Sequence, residues 1–125
     1  MTARLALTLA AALLAIAVAL GAFGAHALKS RIPPDLQAVW QTAVQYHAWH
    51  ALGLLGVGLF LLHRPEATIA GWSGWLFVAG IALFSGSLYA LALTGTRSLG
   101  AVTPVGGAAF LAGWLAFAWI AWRSA

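Results

Sequence analysis

Apolar residues dominate the chain in four long runs, and short polar stretches separate them. The first run, residues 5–23, is uncharged and almost wholly apolar, and a helix of about 20 residues crosses roughly 30 Å of hydrocarbon. Three more apolar runs follow the polar stretches KSRIPPD, HRPEAT and TGTRSLGAVTP. The pattern predicts a single domain, residues 1–125, with four membrane spans at about 5–27, 36–63, 69–93 and 104–122.

The second span is predicted to be longer than the bilayer core. Pro33 and Pro34 suit a helix start, Asp35 complements the positive end of that helix, and no further proline occurs before Pro65. At 1.5 Å per residue, a helix over residues 36–63 is about 42 Å long, against a hydrocarbon core of about 30 Å. Four crossings place both termini on the same side. The predicted fold is therefore an all-α, integral membrane four-helix bundle.

A cleaved signal peptide is the competing interpretation of the first run. Arg4 supplies a basic start, and residues 25–27 (AHA) have the small-x-small form of a cleavage site. Signal-peptide apolar regions are usually about 7–15 residues long, however, and this run is longer. We therefore expect a retained first span.

Composition agrees with a membrane protein and excludes several other classes. The chain is 63% hydrophobic and 6% charged, whereas soluble domains average about 25% charged residues. The net charge of +4 comes from scattered basic residues without a basic run, so the expected partner is the lipid bilayer and not nucleic acid. Cysteine is absent, which removes disulfides and thiolate ligands. Basic residues divide three to three between the two sides and leave the membrane orientation open.

The stretch TAVQYHAWH, residues 42–50, brings polar groups into an apolar helix, where they are costly and often functional. His47 and His50 are three residues apart and share a helix face. Gln37, Gln41 and Gln45 form a second polar stripe, which faces either interfacial water, the favoured interpretation, or a polar cavity. The short first loop is expected to bring His26 close. The candidate intramembrane cluster comprises His26, Gln41, Gln45, Tyr46, His47, His50, Ser85 and Tyr89.

Metal binding is the weaker interpretation of the histidines. His26, His47 and His50 offer nitrogen ligands, but the only carboxylates belong to connections, so structural hydrogen bonding is favoured and no metal or cofactor is expected. No phosphate loop, nucleophile elbow or paired carboxylates occur, so the chain is not expected to be an enzyme. Glycines in and around the predicted spans are expected to serve helix packing. These packing positions are Gly21, Gly24, Gly86, Gly106 and Gly107.

Four motifs occur together in this chain: GAFGAH at 21–26, TAVQYH at 42–47 followed by His50, FSGSLY at 84–89, and TPVGGAAFLAGW at 103–114. In this combination the chain resembles the small bacterial inner-membrane proteins typified by YgdD, a family of unknown function with eukaryotic transmembrane relatives. The resemblance implies a four-helix, multi-pass inner-membrane protein and implies no activity. The family's motif residues fall here at Gly21, Gly24, His26, Gln45, Tyr46, His50, Ser85, Gly86, Tyr89, Thr103, Pro104, Gly106 and Gly107.

Three functional hypotheses follow. The first is a non-enzymatic accessory or interaction protein of unassigned biochemical activity, which forms a homo-oligomer or joins a larger membrane complex. The second is an oligomeric small-solute or proton-linked transporter, for which His26, Gln45 and His50 must face one hydrated cavity. The third is a haem, metal or quinone-binding redox module that uses the histidines.

Overall fold

The computed structural model describes residues 1–124 and is helical throughout, with no strand in that range. A five-residue π-helical segment, Ile81–Ser85, interrupts the third helix. The elements in chain order are α1 (Ala3–His26), α2 (Pro34–His63), α3 (Thr68–Thr94), a 3-10 helix (Arg97–Ala101) and α4 (Thr103–Ser124).

Local chemistry explains where these helices begin and end. The Thr2 hydroxyl accepts a hydrogen bond from the Leu5 amide at 3.2 Å and so caps α1. Pro34 occupies the first turn of α2, where its missing N–H costs nothing. Gly95 follows α3 with a φ of +70°, a left-handed conformation that glycine adopts without a Cβ penalty.

The helices form two antiparallel pairs, α1 with α2 and α3 with α4, and contact between α2 and α3 joins the pairs. The most apolar windows of α1 and α4 are only 17% buried, so these helices expose most of their surface to lipid. By contrast, α2 lies inside the bundle and buries residues at alternating spacings of four and three, a heptad pattern typical of left-handed helix packing. These buried positions are Leu36, Trp40, Ala43, His47, His50, Leu54, Val57 and Leu61.

Both termini lie at the same end of the bundle as the α2–α3 connection. An Arg64 Nη2 donates to the Ser124 carbonyl at 2.8 Å, and Met1 packs next to Gly71 at the start of α3. At the opposite end, Arg97 pairs with Asp35 at 2.7 Å between two exposed side chains. The Arg97 hydrogen bond holds the pKa of the Asp35 carboxyl below its ordinary value of 3.8.

The structure confirms the predicted fold class. The chain is an all-α membrane bundle with its termini at one end, and the 30 residues of α2 extend about 45 Å at 1.5 Å per residue, beyond the hydrocarbon core. Three helical segments are long and apolar enough to cross a membrane: Ala3–His26, Thr68–Thr94 and Arg97–Ser124. The remaining helix, α2, is less apolar because its core positions include histidine and its outer face includes glutamine.

The predicted packing glycines behave differently from one another. A Cβ on Gly24 would overlap the Trp40 ring, and one on Gly106 would overlap the backbone of Phe84. Gly21 and Gly107 have ordinary contacts, since their nearest neighbours would be 3.5 Å and 3.8 Å from an added Cβ.

The packing prediction for Gly86 was wrong. A Cβ there would meet only the Ile81 carbonyl oxygen of its own helix, at 3.9 Å. The Gly86 amide donates to that same oxygen, which is the i to i−5 bond of the π-helical segment. Gly86 therefore belongs to a local change in helix winding and not to a helix–helix contact.

Candidate functional site

His47 lies in the middle of the bundle, where α1, α2 and α3 meet. Its side chain is 3% exposed, and its Nδ1 is 2.9 Å from the Tyr89 hydroxyl of α3. The Tyr89 ring in turn packs on the Trp40 ring with their centroids 4.7 Å apart. The backbone of Leu13 approaches the other side of His47, yet Nε2 has no partner with hydrogen-bond geometry. One nitrogen of this buried ring is therefore bonded and the other is not.

His50, one helical turn further along α2, has a different set of neighbours. It is 6% exposed, and its Nδ1 lies 2.6 Å from the Tyr46 carbonyl oxygen. The imidazole stacks on the Phe110 ring of α4, with centroids 3.4 Å apart and planes 10° apart. The Trp114 ring is also close, with its centroid at 6.0 Å. His47 thus bonds towards α3 while His50 stacks on α4.

Two serines of α3 bond to different helices. The buried Ser85 hydroxyl donates to the Ala43 carbonyl of α2 at 2.8 Å. The Ser87 hydroxyl lies 2.7 Å from the Thr103 hydroxyl at the start of α4. Because an α-helix turns about 100° per residue, residues two apart point to nearly opposite sides. These serines therefore serve interhelical hydrogen bonding and not a shared site.

The glutamines of α2 separate into one bonded residue and two free ones. Gln37 donates from Nε2 to the Gly24 carbonyl at 2.6 Å, an oxygen in the last turn of α1 that has no intrahelical donor. Gln41 and Gln45 are exposed, and they line a groove of about 450 Å³ on the α1–α2 surface together with Gly21 and Gly24. We call this the α1–α2 groove.

His26 does not join the other candidate residues, so the expected proximity was wrong. It is exposed at the last residue of α1, whereas Leu13 of the same helix lies beside His47. Thirteen residues of α-helix separate those two depths by about 20 Å. The antiparallel pairing of α1 and α2 therefore places His26 near the beginning of α2 and away from its histidines.

The histidines and their neighbours are not grouped as a three-ligand metal site or the predicted transport path requires. Among residues 1–124 no group of three or more histidine, aspartate or glutamate side chains is arranged to hold a metal ion. His26, Gln45 and His50 do not face one cavity, because His26 is exposed, Gln45 lies on the α1–α2 groove and His50 packs against Phe110. The transport path that required them together is not present in this arrangement.

Comparison with known proteins identifies the family. The model of the family described as "Protein of unknown function (DUF423)" matches residues 20–107. The chain belongs to the DUF423 family. This DUF423 chain is 50% identical over 100 residues to the UPF0382 membrane protein YwdK of Bacillus subtilis (strain 168), an alignment that covers 80% of the chain and 81% of YwdK. It is 46% identical over 115 residues to the UPF0382 inner membrane protein YgdD of Escherichia coli (strain K12), covering 91% of the chain and 86% of YgdD.

These relatives confirm the resemblance to YgdD-like proteins and carry no assigned activity. No solved structure matches the chain. With relatives named as membrane proteins and three helical segments able to cross a bilayer, this DUF423 chain is an integral, multi-pass membrane protein.

The sequence interpretation of the DUF423 chain missed the aromatic residues around the histidines. Trp40 donates from Nε1 to the Leu20 carbonyl of α1 at 2.9 Å, and Phe110 and Trp114 surround His50. The heptad spacing from Trp40 to His47 was available in the sequence and marks both as core positions. No spacing of this kind in the sequence predicts that Phe110 and Trp114 of α4 contact His50, because their position against α2 depends on how the two helix pairs pack.

Proposed function

We propose that this protein is a non-enzymatic accessory element of the bacterial inner membrane that works by pairing with a second copy of itself through the α1–α2 groove. All four helices cross the bilayer in this proposal. The observation that carries it is the exposure of Gln41 and Gln45 beside a floor of small residues. The family has no assigned activity, and no catalytic set of side chains among residues 1–124 supports an enzymatic alternative.

The position of Gln45 supports a polar partner. Val44 lies opposite Gly21 of α1, so Gln45 is about five residues, or roughly 8 Å, from the loop end of α1. At that depth an amide without a hydrogen-bond partner is costly in lipid. Interhelical hydrogen bonds from glutamine satisfy such groups in membranes.

The chemistry of the groove favours an identical partner. A carboxamide carries both donors and an acceptor, so glutamines facing each other across a two-fold axis complete one another's bonds. Two-fold pairing presents the same patch on both subunits and is the commonest form of homo-oligomer. Gly21, Gly24 and Ala25 line the groove, and small residues of this kind let helix backbones approach closely.

Cysteine cross-linking tests this proposal cleanly because the chain contains no cysteine. Ala38→Cys introduces a thiol into the groove and leaves both glutamines intact. Leu115→Cys introduces one on the outer face of α4, where the residue is 72% exposed. Oxidation in native membranes is expected to link the Ala38→Cys protein into a dimer and to leave the Leu115→Cys protein monomeric.

Removing the glutamine amides provides the second test. Gln41→Leu together with Gln45→Leu in the Ala38→Cys protein is expected to reduce the dimer band strongly, because the polar pairing is lost. Equal cross-linking from both cysteine positions, or no effect of the leucine substitutions, contradicts pairing through this groove.

A further inference from the structure

Another cleft opens where α2, α3 and α4 meet. Its volume is about 490 Å³, within the range of about 300–1,000 Å³ typical of small-molecule sites. Phe84 contributes from α3, and Gly107, Leu111 and Trp114 contribute from α4. Leu111 is 68% exposed and Trp114 is 42% exposed, so the cleft is accessible from the lipid side. We call it the α2–α4 cleft.

Two polar side chains of α2, Tyr46 and His50, line this otherwise apolar cleft. Among the described residues, the phenol hydroxyl of Tyr46 makes no hydrogen bond, and His50 bonds only through Nδ1. His50 is 6% exposed, and its Nε2, which makes no hydrogen bond among the described residues, is not one of the fully enclosed polar atoms, so it keeps accessible surface in a residue that lines the cleft. Such an atom favours a ligand that supplies the missing hydrogen bond.

The hydrogen bond that His50 already makes determines which kind of ligand fits. A carbonyl oxygen only accepts, so the 2.6 Å contact with the Tyr46 carbonyl requires the proton of His50 on Nδ1. In the neutral ring Nε2 then carries a lone pair and accepts a hydrogen bond. Stacking on Phe110 holds the ring in this orientation. A ligand that bonds to Nε2 must therefore present a donor.

We propose that the α2–α4 cleft binds a membrane-soluble molecule with a hydroxyl head, which donates to Nε2 of His50 while its apolar body lies against Phe84 and Trp114. Lipophilic alcohols and phenols share this chemistry. The Tyr46 hydroxyl both donates and accepts. In this proposal it makes a second hydrogen bond to the hydroxyl oxygen of the ligand. A charged headgroup does not suit this site, because His50 lies near the middle of α2 and no Lys or Arg is among the described residues that line the cleft.

Saturation binding to the full chain in detergent micelles tests the proposal with two pairs of probes. Farnesol carries a hydroxyl donor that a methyl group replaces in farnesyl methyl ether, and a decyl hydroquinone carries two phenol donors that its quinone lacks. We expect the donor-bearing member of at least one pair to bind about tenfold more tightly, the worth of one net hydrogen bond. Preference within the first pair identifies an alcohol, and preference within the second identifies a phenol.

Substitutions in the α2–α4 cleft test whether the tighter binding of the hydroxyl probe arises there. His50→Phe keeps an aromatic ring for stacking and removes the acceptor, so it is expected to abolish the preference for the hydroxyl probe. His63→Phe, at the exposed end of α2, is the matched control and should bind as the wild type does. Leu111→Trp fills the cleft from its lipid side and should reduce binding of both members of a pair.

Leu111→Trp keeps the test decisive if His50→Phe does not fold, because the exposed position tolerates a larger side chain. Equal binding of both members in both pairs overturns the proposal. Unchanged binding by the Leu111→Trp protein also overturns it, since the probes would then only be partitioning into the micelle.

Discussion

The closest approach between α3 and α4 depends on Gly106, and Gly106→Ala is the sharpest test of this packing. A Cβ at Gly106 would lie 2.7 Å from the Cα of Phe84 and closer still to the Phe84 backbone nitrogen. These atoms belong to the π-helical segment of α3 and cannot rotate aside as a side chain does. The two helices must therefore separate by more than half an ångström to accept one methyl group.

The cost of that separation can be estimated from packing energetics. Overpacking a well-fitted contact costs about 1–3 kcal/mol, while replacing a helical glycine by alanine returns at most about 0.5–1 kcal/mol, a value for mid-helix positions that is an upper limit for Gly106 in the first turn of α4. The net expectation for Gly106→Ala is a loss of up to about 2.5 kcal/mol, with a mid-range value of about 1 kcal/mol. The neighbouring Gly107→Ala is the control, because its Cβ would lie 3.8 Å from the Phe84 ring in ordinary contact, so it should gain up to about 0.5–1 kcal/mol.

Reversible unfolding in mixed micelles of mild detergent and sodium dodecyl sulfate measures both variants. Helical circular dichroism gives the free energy of unfolding as the dodecyl sulfate fraction rises, and the wild type is titrated in parallel. The two variants are expected to shift the transition in opposite directions. If Gly106→Ala is as stable as Gly107→Ala, then Phe84 does not approach Gly106 at backbone distance and the π-helical segment does not set the α3–α4 contact.

Two further predictions concern hydrogen-bonded pairs. Tyr89→Phe removes the one hydrogen-bond partner that His47 has among residues 1–124, and it should cost about 1–3 kcal/mol in the same unfolding assay. Adding His47→Leu should restore much of that loss, because removing both polar partners is nearly neutral; a double variant less stable than Tyr89→Phe alone contradicts this. The Arg97 bond lowers the folded-state pKa of Asp35 below its ordinary 3.8, so its small contribution to stability is complete above that pH and is lost as the pH falls through the lowered value. Unfolding of wild type and Asp35→Asn above and below pH 3.8 should show their difference shrinking in acid, and a difference that grows in acid contradicts the pairing.

The helices of this bundle were predictable because each apolar run is long and its ends carry proline, glycine or charge. The burial of α2 could also be predicted from its sequence. The same alternating spacing of four and three that joins the later positions Leu54, Val57 and Leu61 also joins Trp40, Ala43, His47 and His50. The spacing could not predict which residues of neighbouring helices lie at the same height along the bundle axis. His26 was expected near His47, but the antiparallel offset of α1 pairs His47 with Leu13 instead.

The π-helical segment shows why the candidate site was only partly predictable. Residues 81–85 are apolar or small and fit an α-helix equally well, so their winding depends on bonding between residues five apart and on packing against other helices. That winding sets how Ser85 reaches the Ala43 carbonyl and how Phe84 meets Gly106. The proximity of Phe84, His50 and Phe110 in the α2–α4 cleft depends on this tertiary arrangement, which no residue pattern in α3 contains.

The two buried histidines of α2 both occupy heptad positions, but one forms a hydrogen bond to another helix and the other forms a hydrogen bond within its own helix. His47 bonds to Tyr89 of another helix, so losing either residue leaves a buried polar atom without its partner. Within residues 1–124 the His50 side chain bonds only to the Tyr46 carbonyl, which already accepts a hydrogen bond from the backbone amide of residue 50. Replacing His50 by an apolar ring therefore leaves no new unsatisfied group. His50 lines a cleft and bonds only within its own helix among the described residues, whereas His47 joins α2 to α3 through Tyr89. This difference makes His50, and not His47, the residue to examine for binding.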